Sequence, residues 1–197
     1  MINIVLFGPP GAGKGTQSEG IIKKYHLSHI STGDLFRKHL KEGTALGKLA
    51  QTFMDHGNLV PDQVVIDMVD DKIKSDSKVN GYIFDGFPRT VAQAEALDTL
   101  MNGKGSPISC MIALEVEKDE LVKRLLNRGK TSGRTDDQDA AKIQNRINVY
   151  ESETIPVANY FKKQGKYDPI HGIGSVAEIF SNICKVIDKH QTLSLNS

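Results

Sequence analysis

The chain has no tryptophan, only two cysteines, a net charge of +1 at pH 7 and no apolar run long enough to span a membrane. Each shortage excludes something. A balance this close to neutral argues against a surface built for nucleic acid or for an acidic partner. Cys110, in an expected strand, and Cys184, in an expected helix, have neither metal-ligand spacing nor a Cys-x-x-Cys pairing. They read as small buried hydrophobes, with no disulfide and no zinc expected. The six histidines form no cluster. Without a membrane span, and with Met1 leading straight into the first predicted strand, neither an anchor nor a signal peptide is expected. The expectation is a cytosolic monomer without membrane or nucleic-acid partners. At 197 residues the chain is long enough for one well-buried domain carrying small insertions. It holds no internal repeat and no low-complexity tract.

What is present is concentrated near the N-terminus, in Gly8-Pro-Pro-Gly-Ala-Gly-Lys-Gly-Thr16. An apolar, β-branched run at residues 2–7 precedes it and predicts a buried strand; residues 17–25 suit a helix. Strand, glycine-rich turn and helix are the context that a phosphate-binding loop needs. Glycines let successive N–H groups point inward, and the helix N-terminus adds its partial positive charge. Lys14 can then reach the β- and γ-phosphates. One feature departs from the common pattern: Gly15 follows the lysine, and the hydroxyl comes one residue later, at Thr16.

Further strands are expected at residues 27–30, 81–85, 109–116 and 167–171, alternating with helices. That pattern predicts an α/β fold, a five-stranded parallel sheet flanked by helices on both faces. Residues 30–60 hold more short helices than a crossover needs and read as a small helical insertion, with Ser31 or Thr32 as a helix N-cap. Helices are also predicted at 91–101 and 118–128. A polar stretch at 129–137 precedes a long helix over 140–164, kinked at Pro156. A last helix covers 175–190, capped by Ser175, and the tail from Gln191 is expected to fray. Ligands of such sheets sit beyond the C-terminal strand ends, where Lys14, Asp85 and Arg89 are expected to meet.

Arginine is the other conspicuous feature of the second half. Arg124 and Arg128 are spaced to share a helix face, Arg134 lies in the polar stretch and Arg146 on the long helix. Phosphoryl transfer needs such an array, because its stabilisation is positional and electrostatic, and the planar guanidinium binds phosphate at two points. Asp136 and Asp137 could hold these arginines when no ligand is bound. No candidate general base stands near the loop, which fits an acceptor that is already anionic.

Five stretches carry a resemblance over nearly the whole chain: residues 8–17, Ser31-Thr-Gly-Asp-Leu-Phe-Arg37, Leu59-Val-Pro-Asp62, Phe84-Asp-Gly-Phe-Pro-Arg-Thr90 and Ser132-Gly-Arg-Thr-Asp-Asp137. In this order they resemble the adenylate kinase family, whose loop shares the Gly15-Thr16 variation. The resemblance implies a P-loop NTPase-type core with two mobile insertions and transfer of phosphate from ATP to AMP with Mg²⁺, giving two ADP. It implies that Gly11, Ala12, Gly13, Lys14, Gly15 and Thr16 hold the ATP phosphates. Arg128 would pack on the ATP adenine, with the Gly174 backbone touching the base. Thr32, Arg37, Asn58, Leu59, Val60, Gly86, Phe87, Pro88, Arg89 and Gln93 would line the AMP pocket. Arg134 and Arg146 would bridge the transferring phosphate, Arg124 would support the ATP phosphates, and Asp85 would hold Mg²⁺ through water. The core is expected at 1–29, 61–127 and 138–190, the NMP-binding insertion at 30–60, a flexible tail at 191–197 and a short lid at 128–137, hinged at Gly129 and Gly133. The lid is too short for a separate subdomain and lacks a cysteine quartet for zinc.

Two alternatives stay open on the sequence. A UMP/CMP kinase would share the chemistry, although Thr32 and the two-sided amide of Gln93 favour an adenine edge. A nucleotide-dependent switch would need the loop but not the converging arginines.

Overall fold

A computed structural model describes residues 1–132 and 134–195. Five strands, β1 (Ile2–Phe7), β2 (Ser28–Ser31), β3 (Gly81–Asp85), β4 (Cys110–Glu115) and β5 (Tyr167–His171), form one sheet in the order β2-β3-β1-β4-β5, all parallel. The alternation of side chains along each strand sorts the core into two layers. Val5, Phe7, Tyr82, Phe84 and Met111 face one way, into a cluster closed by helices α4 (Asp62–Ser75), α5 (Val91–Gly103) and α8 (Ile155–Lys163). Ile4, Leu6, Ile83, Ile112 and Ile170 face the other, under α1 (Lys14–Tyr25) and α9 (Val176–Leu195). Burial on both faces explains why the central strands β1, β3 and β4 read as nearly unbroken apolar runs, unlike the edge strands β2 and β5.

The chain leaves β1 towards one edge of the sheet and β3 towards the other, so the loops after these two neighbours diverge and a crevice opens at their C-terminal ends. The phosphate-loop sequence and Asp85 therefore arrive side by side. Helices α2 (Thr32–Lys41) and α3 (Ala45–Met54) stand over one flank. Ser31 caps α2, its hydroxyl accepting from the Asp34 N–H, and Thr44 caps α3 through the Gly47 N–H. Helices α6 (Lys118–Thr131) and α7 (Ala140–Val149) form the opposite flank.

Several expectations need correction. The long helix over 140–164 is two helices, α7 and α8, joined by a π-helical turn at Tyr150–Thr154. The helical backbone is continuous through that turn, and Pro156 follows it directly in the first turn of α8, so the irregularity falls where the proline, which cannot donate to the Ser152 carbonyl, was expected to disturb the helix. Helix α6 runs on to Thr131, so the polar stretch begins as helix. Gly129, expected at a hinge, is therefore buried inside α6. A Cβ there would collide with the Asp137 carbonyl, so close approach is what requires glycine. Gly133, the other proposed hinge, lies outside the described residues. Strand β2 includes Ile30 and Ser31, so the helical insertion starts after them. Helix α9 continues past Gln191 to Leu195, and His190 Nε2 lies 2.8 Å from Asp168 Oδ2 on β5. Residues 196–197 are outside the described set. At its start, Ser175 and Glu178 exchange hydrogen bonds as a capping box. Among the described residues no helix is long and apolar enough to cross a membrane.

Candidate active site

A cavity of about 860 Å³ fills the crevice, and every residue singled out from the sequence for nucleotide or metal binding lines it. Seven of its lining side chains are cationic and four acidic, a surplus suited to a multiply charged anion.

At its floor, Gly8, Gly11 and Gly13 of the phosphate loop adopt positive φ, with Gly13 at 94° as the N-cap of α1. No side chain caps that helix, so its first N–H groups are left for a ligand. Lys14 Nζ curls back to donate to the carbonyls of Gly8 at 2.6 Å and Pro9 at 3.1 Å. Burial lowers its pKa to about 8; nearby Asp85 pulls it up, while Arg89, Arg146 and Arg128 push it further down. An incoming phosphate is the charge this site lacks.

The β3–α5 loop is organised around one carbonyl. Gly86 O accepts from Arg89 Nε at 2.8 Å and from the Thr32 hydroxyl at 2.8 Å. Gly86 has φ 74°, and a Cβ there would stand 3.0 Å from the Arg89 guanidinium and 3.1 Å from Thr32 Oγ1. Burial lowers the Arg89 pKa to about 10, with Arg146 adding to the shift. Gln93 is buried. Its Oε1 accepts from the Arg89 N–H at 2.8 Å and its Nε2 donates to Asp62 Oδ1 at 2.8 Å, which sets the amide's orientation. One lone pair and one N–H of that amide remain for a ligand. Phe87 and Pro88 complete this wall, with Asn58, Leu59 and Val60 on the facing side.

Four arginines are held by acids. Arg128 makes a two-point pair with Asp137, Nε to Oδ2 at 2.6 Å and Nη2 to Oδ1 at 3.0 Å. Arg146 Nη1 bridges Asp136 at 2.8 Å and Asp137 at 2.5 Å. Arg37 pairs with Asp34 one turn away. Burial tends to raise the Asp137 pKa, but Arg128 and Arg146 together outweigh it and hold the carboxyl below its usual value. Arg124 pairs with Glu120 at 2.8 Å and donates to the Gly172 carbonyl at 3.2 Å, tying α6 to the segment before Gly174. Gln17 Nε2 donates to the Val176 carbonyl at 3.1 Å, fastening the other end of that segment to α1. Arg134 lines the cavity half-buried; burial, then Arg37 and Arg128, lower its pKa.

Some lining residues were missed in the sequence. Asp34 carried a usable signal, three residues before Arg37 on a helix. His29 and Tyr150 carried none, because only the sheet register and the π turn bring them here. The Asp85 carboxylate has His29 Nε2 4.0 Å away and accepts no hydrogen bond from side chains of the described residues. A single open carboxylate beside a phosphate site suits Mg²⁺, which keeps most of its water. Among the described residues no group of three or more potential ligands could hold zinc by itself.

Fold and site together define a class: a P-loop α/β protein whose cationic cavity has a phosphate loop at one end and a wall carrying Arg89 at the other. Comparison with known proteins narrows it. Residues 6–166 match the family model described as adenylate kinase. An adenylate kinase of Flavobacterium psychrophilum is 53% identical over 188 residues, covering 95% of this chain and 99% of that protein. Those of Bacteroides thetaiotaomicron and Porphyromonas gingivalis are 49% and 42% identical, covering 96% and 98% of this chain and all of each relative. The chain belongs to the adenylate kinase family.

Proposed function

We propose that the protein transfers the γ-phosphoryl group of ATP reversibly to AMP, giving two ADP. One observation carries this: Lys14 and six arginines border a single cavity whose two ends differ. The floor offers helix N–H groups and Lys14, as a donor triphosphate needs. The Gly86–Arg89 wall offers a guanidinium and an oriented amide, as a monophosphate with a base needs.

In this reading Gly11, Ala12, Gly13, Lys14, Gly15 and Thr16 grip the ATP phosphates. Arg128 and the Gly174 backbone border the adenine, and Arg124 supports the phosphate tail. Arg37 and Arg89 bind the AMP phosphate, while Thr32 and Gln93 border its base. Arg134 and Arg146 neutralise the equatorial oxygens as charge shifts between the two nucleotides. The AMP phosphate is already anionic, so no group need remove a proton. Asp85 would hold Mg²⁺ through water, and that ion would neutralise β- and γ-phosphate charge. Asp136 and Asp137 hand Arg128 and Arg146 over to phosphate when it arrives, which keeps the cations oriented beforehand. Residues 30–60 act as the acceptor-binding insertion and 128–137 as a short lid that shields the reaction from water. The working form is a cytosolic monomer.

The test is to supply Mg²⁺ and ATP with AMP, UMP, CMP or GMP and to follow nucleoside diphosphate. ADP formation with AMP alone, abolished in Lys14→Ala and Arg89→Ala, is the expected result. Preference for UMP or CMP would refute the roles of Thr32 and Gln93, and transfer to none would refute the reaction.

A further inference from the structure

The turn between α3 and α4, residues 56–58, rests against α7. Asn145 Nδ2 donates to the His56 carbonyl at 2.7 Å and to Asn58 Oδ1 at 3.0 Å. Between these two residues Gly57 is buried with φ 74°; a Cβ there would meet Arg146 Cγ at 2.9 Å and the Lys142 carbonyl at 3.0 Å. The bare backbone of the turn thus lies flush on the helix, clamped from both sides of Gly57 by one amide. The next residue along α7 is Arg146, held at the centre of the cavity by Asp136 and Asp137. Downstream of the turn, Asn58, Leu59 and Val60 form cavity wall. A single pair of adjacent residues on α7 therefore holds both the acceptor-side wall and a cation at the reacting end.

We propose that Asn145 is a positioning residue, a latch through which seating of the α2–α3 insertion is coupled to the placement of Arg146. The proposal rests on the acceptor reading given above. It touches no substrate; its amide sets how closely the wall approaches Arg146, and therefore how well AMP is held for attack. Gly57 is its counterpart, since any side chain there would lift the turn off α7.

Asn145→Leu keeps similar volume and removes both donors, and its partly exposed position makes folding failure easy to exclude by a thermal melt. Two neutral hydrogen bonds predict a rise in KM for AMP of about tenfold, with KM for ATP changed less than about twofold. Gly57→Ala is expected to act in the same direction, and Asn58→Ala combined with Asn145→Leu to add little to either alone. A second readout is independent of turnover. Spin labels at Leu49→Cys on α3 and Lys163→Cys on α8 report the distance between insertion and core, which should lengthen or broaden in Asn145→Leu without nucleotide. Lower thermal stability with unchanged KM for AMP and unchanged distance would mean the contact is only structural and would overturn the proposal. A KM change without a distance change would also overturn it, since the amide would then act on ligand directly. If the distance shifts but the unaltered protein transfers no phosphate to AMP, the latch stands and the acceptor reading fails.

Discussion

Replacing Lys14 with methionine should abolish phosphoryl transfer and yet make the protein harder to unfold. Folding carries the Lys14 ammonium from water into a buried loop among arginines, lowering its pKa from 10.5 to about 8. Taken whole, such a shift is worth about 3 kcal/mol of native-state destabilisation at neutral pH. Lys14 borders an open cavity and donates to two carbonyls, so about 2 kcal/mol is the better expectation. For a chain of this size that raises the melting temperature by about 4–8 °C. The sign of the pH dependence follows from proton counts. Between pH 8 and 10.5 the unfolded chain still holds the lysine proton and the native protein has lost it, so the unaltered protein gains stability as pH rises. The methionine variant lacks that gain. Its advantage should be full at pH 7, shrink above pH 8 and vanish near pH 10.5. With no tryptophan to report, circular dichroism melts at pH 7, 8, 9 and 10 provide the assay. Added ATP should raise the melting temperature of the unaltered protein far more than that of the variant. A variant that melts lower at pH 7, or a difference that stays flat to pH 10, would refute the claim that the loop holds a destabilised charge.

Three further outcomes follow from named contacts. Asp137→Asn should lower stability by about 2–3 kcal/mol in urea at pH 7, because two arginines lose the carboxylate they share. The native Asp137 pKa is depressed, so its contribution is complete above about pH 4 and lost as pH falls further; the variant's acid limb should be shallower there, and an unchanged urea midpoint would contradict the pairing. Gly86→Ala should weaken AMP binding by tenfold or more in calorimetry while leaving ATP binding within about twofold, since the methyl meets Arg89 and Thr32 and not the phosphate loop. Cys110 and Cys184 are both buried, and burial drives the Cys110 thiol pKa upward. A thiol reagent should therefore label neither in the native protein and both in urea, and rapid native labelling would refute this packing.

The central strands were legible because parallel strands bury both faces and so print nearly continuous apolar runs: β1 and β3 fall where the pattern placed them, and the edge strand β5, with only Ile170 buried, was found from its place between helices. The phosphate loop was equally legible, since the motif is local and needs only a strand before it and a helix after it. Ser31, Ser175 and the Arg124–Arg128 spacing were readable for the same reason, as their partners lie within one helical turn. Periodicity failed where a distant atom decided the outcome. Gly129 reads in sequence as a point of freedom near a polar stretch, and nothing local shows that the Asp137 carbonyl packs against it and leaves no room for a side chain. The disturbance at Pro156 was legible, but its form, a π turn over Tyr150–Thr154, was not, because such a turn leaves no compositional trace.

By itself, then, the amino-acid order determined the α/β class, the place of the phosphate loop and the family motifs, all set by contacts within a few residues or by burial common to every strand. Only the tertiary structure decided which acid holds which arginine, that the Gly86 carbonyl orients both Thr32 and Arg89, and that the turn at Gly57 lies against Arg146. Thr32 with Gly86, and Gly57 with Arg146, are far apart in the chain, and even the acids that lie near their arginines in sequence reach them only across a turn or a helix junction. Their geometry depends on how the chain diverges from β1 and β3, and no local pattern encodes that distance.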